Sequence, residues 1–386
     1  MNNPGTGIAI LVCATLTAAP LSAAAAAPVS GTATGVAAMV EQVLTPFWRS
    51  TTMQGESLFF CERKTGEVAS AMLLFPPEKI LSVTSATGET TYEEGKDFAI
   101  DMPTGVLRLL PGSRIPCKTM GEMYPPADST LPKIGRKRGD PQTFLIFSEG
   151  RFMHDLQVAV TYTHKDGLWA GYVPKFSGAV LTNAMRKLHA KEPFKLCLTG
   201  DSISAGANAS KKTKAPPFQP CFGELVGLGL EKAFGAKVTF RNFGVGGWAS
   251  GGGLSAIDKV AAEKPDLVII AFGMNDTGGL PASYLANIRG MIEKVRASAP
   301  EAEFILVSSM LPNPEWNAPR PENFPIFRSG LTGLCGPGVA LADMTTMWED
   351  LRKRKSFHDL TGNGVNHPND FGHRVYASVI LGLLVE

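Results

Sequence analysis

Charge is scarce in this 386-residue chain, in which Asp, Glu, Lys and Arg together make up 19%. The 35 acids and 37 bases leave a net charge of +2, which gives no electrostatic reason to expect a nucleic-acid partner. Beyond the N-terminus no apolar run is long enough to span a bilayer, so no membrane partner is expected. No Cys/His spacing suggests a metal site, and no internal repeat is present. Residues 1–27 lack any charged side chain and hold an apolar stretch, Ile8 to Leu16, followed by small residues from Ser22 to Ala27. This reads as a secretory signal peptide cleaved near Ala24 to Ala26, although it has no Lys or Arg; a disordered Ala-rich tail is the alternative. Val12 stands before Cys13, so lipid anchoring is not expected. A soluble protein in a periplasm or outside the cell follows.

Cysteine is sparse too. Without Cys13 five remain, Cys61, Cys117, Cys197, Cys221 and Cys335, and an odd number forbids complete pairing within one chain. Cys197 lies in an apolar strand and reads as a buried free thiol. Cys61 with Cys117 and Cys221 with Cys335 are the pairings that keep each bridge inside one domain, and an oxidising compartment permits them. The sequence establishes neither.

The length allows two domains. After a helix predicted over Val36 to Leu44, residues 50–175 read as strands and turns. Candidates are Ala69–Phe75, Ile80–Thr84, Val106–Leu110, Thr143–Phe147, Leu156–Tyr162 and Leu168–Val173. Several alternate apolar and polar residues, as half-buried antiparallel strands do, and short strands between Gly, Pro and Asp suggest a β-sandwich. Ser177 to Lys191 reads as a connection ending in a helix. The expected division is 1–27 signal peptide, 28–190 β-sandwich domain with flanking helices, and 191–386 a second domain.

The chemistry gathers in that second part. The apolar run Phe194 to Leu198 ends in Gly200-Asp-Ser202, which can place a serine hydroxyl at the carboxyl end of a parallel strand. Asn242-Phe-Gly-Val-Gly-Gly247-Trp248 follows the strand-like run Ala236 to Phe240, and Gly273-Met-Asn-Asp276 follows Pro265 to Ile270. Asn363-Gly-Val-Asn-His367-Pro-Asn precedes a helix-like stretch, Arg374 to Leu384. A serine hydroxyl needs an imidazole to take its proton, and His367 suits that task as general base and then general acid. The backbone N–H groups of Ser202 and Gly247 and the Asn275 amide are candidate oxyanion donors. Glycine at 247 would also let substrate approach the backbone.

In order, these segments resemble the four blocks of the SGNH (GDSL-type) hydrolase superfamily, over roughly residues 190–386. The resemblance implies a flavodoxin-like three-layer α/β/α domain, an acyl-Ser202 intermediate, and no metal or organic cofactor. With a jelly-roll-like N-terminal domain, the chain resembles bacterial two-domain acetylesterases that act on xyloglucan-type and other plant cell-wall glycans. That implies an acetylated carbohydrate as substrate partner. A glycan O-acetyltransferase, a general short-chain esterase or lipase, and a glycan-binding protein with a decayed site are the alternatives.

One block departs from the pattern. The family's Asp-x-x-His would put aspartate at position 364, where this chain has Gly364. A carboxylate there fixes the histidine tautomer and steadies the imidazolium. Three readings stay open: a backbone carbonyl near Gly364 orients His367, an acid such as Asp343 or Asp359 folds in, or the site is impaired. Asp201 reads as a turn residue, Asp276 as a brace for the Asn275 loop, and His373 as a packing or capping residue. Trp248 suits the pocket or the core equally. Lys211 to Lys214 reads as a solvated face, with Phe218 and Gln219 candidates for the mouth of the site.

Overall fold

The computed structural model describes residues 33–386; the expected signal peptide lies outside them. Among the described residues no helix is long and apolar enough to cross a membrane.

Nine strands form the N-terminal half: β1 Thr52–Glu62, β2 Ser70–Met72, β3 Pro77–Ser85, β4 Phe98–Asp101, β5 Val106–Leu109, β6 Cys117–Thr119, β7 Lys133–Lys137, β8 Asp140–Ile146 and β9 Gln157–His164. Seven of them join in the order β3-β9-β1-β2-β5-β4, with β6 also on β1, and β7 and β8 form a separate hairpin. Residues 52–59 of β1 pair antiparallel with β9, whereas residues 60–62 pair with β6, and Cys61 also pairs with Ser70 of β2. In β9, Val158, Val160 and Tyr162 turn inward, the period of two that a pleated strand imposes.

Three points of the sequence reading need correction, the last of them reaching into the C-terminal half. Leu168–Val173 is no strand: the Trp169 indole donates to the Tyr172 carbonyl, and the Tyr172 N–H donates to Asp350. The longest strand, β1, escapes a pattern reading because its register shifts between Met53 and Glu56 and it buries Glu56 completely. That carboxylate accepts from Leu74 N and Tyr162 Oη and pairs with Lys355 of the C-terminal half. The third correction concerns the cysteines, all five of which are free among the described residues. Phe60, not Cys61, aligns with Cys117, so the two thiols point to opposite faces, one buried and one exposed. Cys221 opens the helix Phe222–Phe234, while the Cys335 thiol bonds back to Leu331 O. Cys197 is buried, as expected.

In the C-terminal half, β10 Phe194–Gly200, β11 Val238–Asn242, β12 Leu267–Ala271, β13 Glu303–Val307 and β14 Val339–Ala342 form a wholly parallel sheet ordered β11-β10-β12-β13-β14. Counted among themselves, these strands run 2-1-3-4-5, the flavodoxin-like order. Strands β12 and β13 are buried throughout, as strands covered on both faces must be. Leu196, Leu198 and Ile269 face a core shared with the helices Phe222–Phe234, Met344–Leu351 and Asp370–Leu381. Cys197, Val268 and Ile270 face a second core with the helices Pro281–Ser298 and Asn323–Thr332. The expected three-layer α/β/α arrangement follows. The first core continues into the N-terminal half through Leu58, Phe60, Leu74 and Val158.

Candidate functional site

Strand order places the site. The order reverses between β10 and its neighbours β11 and β12, and open α/β sheets leave their crevice at such a switch point. Ser202 follows β10, Gly247 follows β11 and Asn275 follows β12. The loops are tied together: Val245 N donates to Gly200 O at 3.0 Å, Asn242 Nδ2 to Ser204 O at 2.8 Å, and Asn275 Nδ2 to Trp248 O at 3.0 Å. His367 reaches the same edge from the loop before the helix Asp370–Leu381.

Ser202 Oγ and His367 Nε2 lie 2.8 Å apart. Behind the imidazole, Nδ1 lies 2.8 Å from Asn208 Oδ1 and 3.1 Å from Glu149 Oε2. The Asn208 amide has one orientation available. Its nitrogen donates to the carbonyls of Glu149, Gly150 and Gly362 at 3.2, 3.1 and 2.9 Å, so its oxygen must face His367. Nδ1 therefore carries the hydrogen, and the Nε2 lone pair faces the serine hydroxyl. That is the tautomer a general base requires.

None of the three groups named from the sequence reaches the ring; the acid that folds in beside Nδ1 is Glu149. Gly364 O accepts from Asn313 Nδ2. Asp343 caps the helix Met344–Leu351 and pairs with Arg328. Asp359 accepts from Phe59 N and Ser356 N beside Lys355. Position 364 itself has no room for a side chain. Its φ is +90°, and a Cβ there would lie 2.4 Å from Ile146 O.

Sequence reasoning missed both Asn208 and Glu149. Asn208 left a faint trace, standing six residues after Ser202 with φ +60°, a left-handed conformation that Asn tolerates better than most residues. Glu149, in the turn after β8, left none.

The oxyanion candidates sit on an open edge. Ser202 is half-buried, while Gly247 and Asn275 are exposed. Among the described residues nothing accepts a hydrogen bond from the Ser202 or Gly247 N–H. Asn275 spends one amide hydrogen on Trp248 O and keeps one. Gly247 has φ +77°, yet a Cβ there would meet nothing within 4 Å. Backbone conformation thus demands the glycine, and crowding by the protein does not.

The surrounding residues are structural. Asp276 accepts from Ser250 N at 2.9 Å and from Ser250 Oγ, and burial raises its carboxyl above the usual range. Asp201 accepts from Ile203 N, and burial lifts it to about 7 against the opposing pull of that N–H and of His367. The His373 ring stacks near Phe222 and meets Ala207 O at 3.1 Å, and burial lowers it to about 4. Trp248 packs partly against the second core. Lys211 pairs with Glu224, while Lys212 and Lys214 are exposed. Gln219 does not reach the mouth: fully buried, it bonds Asp370 O and Arg374.

Residues 198–375 match the model of the GDSL-like Lipase/Acylhydrolase family. No curated protein matches the chain. Among solved structures, a two-domain esterase active on acetylated mannans, crystallised with mannopentaose, is 25% identical, with TM-score 0.45. The match spans 55% of this chain and only 55% of that one. A carbohydrate esterase family 3 protein from Talaromyces cellulolyticus is 18% identical over 49% of this chain and 94% of its own, with TM-score 0.38. A lipase from a goat rumen metagenome is 16% identical over 49% and 97%, with TM-score 0.41.

Proposed function

We propose that this chain, whose residues 198–375 match the GDSL-like Lipase/Acylhydrolase family model, is an exported carboxylic ester hydrolase of the SGNH type that removes O-acetyl groups from carbohydrate. The observation that carries this reading is the line Ser202–His367–Asn208, with hydrogen bonds of 2.8 Å at both imidazole nitrogens, at an open polar edge. Gly246, Gly247, Asn275, Gly278 and Gly279 are exposed around it. A short acyl group on a bulky polar carrier suits such an edge. A long acyl chain needs an apolar channel, and the exposed large apolar residues on these loops are only Val245 and Leu280.

Ser202 Oγ attacks the acetyl carbonyl as its proton passes to His367 Nε2. The oxyanion is held by the N–H groups of Ser202 and Gly247 and by the free amide hydrogen of Asn275. The imidazolium then protonates the departing sugar oxygen. Water, deprotonated by the same nitrogen, releases acetate from Ser202. Asn208 keeps the ring in register throughout. Residues 28–190 are read as a jelly-roll-like brace for the domain at 191–386, and export rests on residues 1–27.

The test is acetate release by the protein lacking residues 1–26. It would be given acetylated xyloglucan oligosaccharides, acetylated xylan, acetylated mannan and a 4-nitrophenyl acyl series, with Ser202→Ala and His367→Ala in parallel. Turnover confined to short acyl groups, fastest on a glycan and lost in both variants, is expected. A preference for long acyl chains, or activity that survives Ser202→Ala, sinks the reading.

A further inference from the structure

We propose that Glu149, from the antiparallel half of the chain, is a positioning residue for His367 and supplies the negative charge that position 364 lacks; this rests on the esterase reading above. Glu149 is the only carboxylate within 4 Å of the His367 ring nitrogens among the described residues. Its place is set by backbone, not by chance contact of a long side chain. Ser148 N donates to Asn363 O at 3.1 Å, and the Glu149 and Gly150 carbonyls both accept from Asn208. The same segment brings Ile146 O against Gly364, filling the space that a family aspartate would use. One stretch, residues 146–150, thus excludes the usual acid and delivers another.

The two groups behind Nδ1 divide the work. Asn208 is neutral and aims the ring. Glu149 adds charge, and its attraction grows when Nε2 takes the serine proton and the ring becomes an imidazolium. Its side chain is 55% exposed, so bulk ions screen it and small molecules can reach its place. Replacing the side chain leaves the carbonyl that anchors Asn208 in position, which makes the substitution clean.

The experiment compares the full chain with Glu149→Gln, Glu149→Ala and Ser202→Ala on 4-nitrophenyl acetate. We expect kcat to fall roughly 10- to 100-fold in both Glu149 variants with little change in KM. Added formate should restore part of kcat in Glu149→Ala, which has space for it, and none in Glu149→Gln. Rising ionic strength should lower wild-type kcat and leave Glu149→Gln unaffected. An unchanged kcat in both variants overturns the proposal. So does a loss that formate does not relieve and that comes with a lowered melting temperature, since that marks a structural role. Labelling by a fluorophosphonate, which needs an activated serine but no ester, separates the two readings. If wild type labels without hydrolysing esters, the esterase reading fails, and slower labelling of Glu149→Gln still supports Glu149. If wild type does neither, both fail.

Discussion

Placing an aspartate at position 364 should damage this protein. Gly364→Asp would recreate Asp-x-x-His, and by motif logic alone it should improve a site that lacks its acid. The structure argues the reverse. A non-glycine residue held at φ +90° costs about 1–3 kcal/mol. Forcing apart a Cβ and Ile146 O that begin 2.4 Å from each other costs roughly 1–3 kcal/mol more. The total is on the order of 2–6 kcal/mol, a large part of the stability of a typical domain. The segment that must yield is 146–150, so Glu149 and two of the three carbonyls that hold Asn208 move with it. We expect a lower melting temperature and a lower kcat on 4-nitrophenyl acetate, with Gly364→Ala showing the same fall in stability. Activity at or above wild type with an unchanged melting temperature would refute this reasoning.

Three further outcomes are expected. Lys355→Met strands Glu56 as a buried carboxylate without its cation and should cost about 3–5 kcal/mol in urea unfolding; adding Glu56→Gln should recover part of this, and equal losses in the single and double variants would contradict it. Burial raises the Asp201 carboxyl to about 7, above its unfolded value, so its contribution to stability is full below pH 4 and is lost as pH rises through 7. Asp201→Asn should therefore lose less stability than wild type between pH 5 and pH 8 in chemical denaturation, and parallel losses would refute the assignment. Asn275→Ala should lower kcat about 100- to 1,000-fold, whereas a loss below about threefold would remove Asn275 from the oxyanion site.

The parallel half was legible because its strands are continuous apolar runs that end at glycine-bearing loops. The runs Phe194–Leu198 and Pro265–Ile270 were read as strands from their apolar character, and Ser202, Gly247 and Asn275 come in the loops after strands β10, β11 and β12. His367 follows no strand, and it was legible only because a serine hydroxyl needs an imidazole to take its proton and its block resembles the family's. What orients His367 was not. Asn208 depends on three carbonyls assembled by the fold, and Glu149 comes from a turn of the other half with no local pattern to mark it. The antiparallel half was read less well. Its longest strand hides a buried charge and a register shift, and Leu168–Val173 is a short apolar run like a strand yet is held by single hydrogen bonds. The cysteine pairings rested only on keeping each bridge inside one domain. That says nothing about which face of a strand Cys61 and Cys117 occupy, or where Cys221 and Cys335 sit beside their helices.

The core that runs from Leu196 and Ile269 through Leu58 and Val158 has a consequence for how the molecule comes apart. A chain with two independent cores melts in two steps, and a cut in the connector frees two viable pieces. Here the same apolar cluster belongs to both halves, and the pair Lys355–Glu56 lies buried between them. Unfolding either half exposes the other, so the two should melt as a single cooperative unit. The shared core leaves no seam in stability between the antiparallel and the parallel strands.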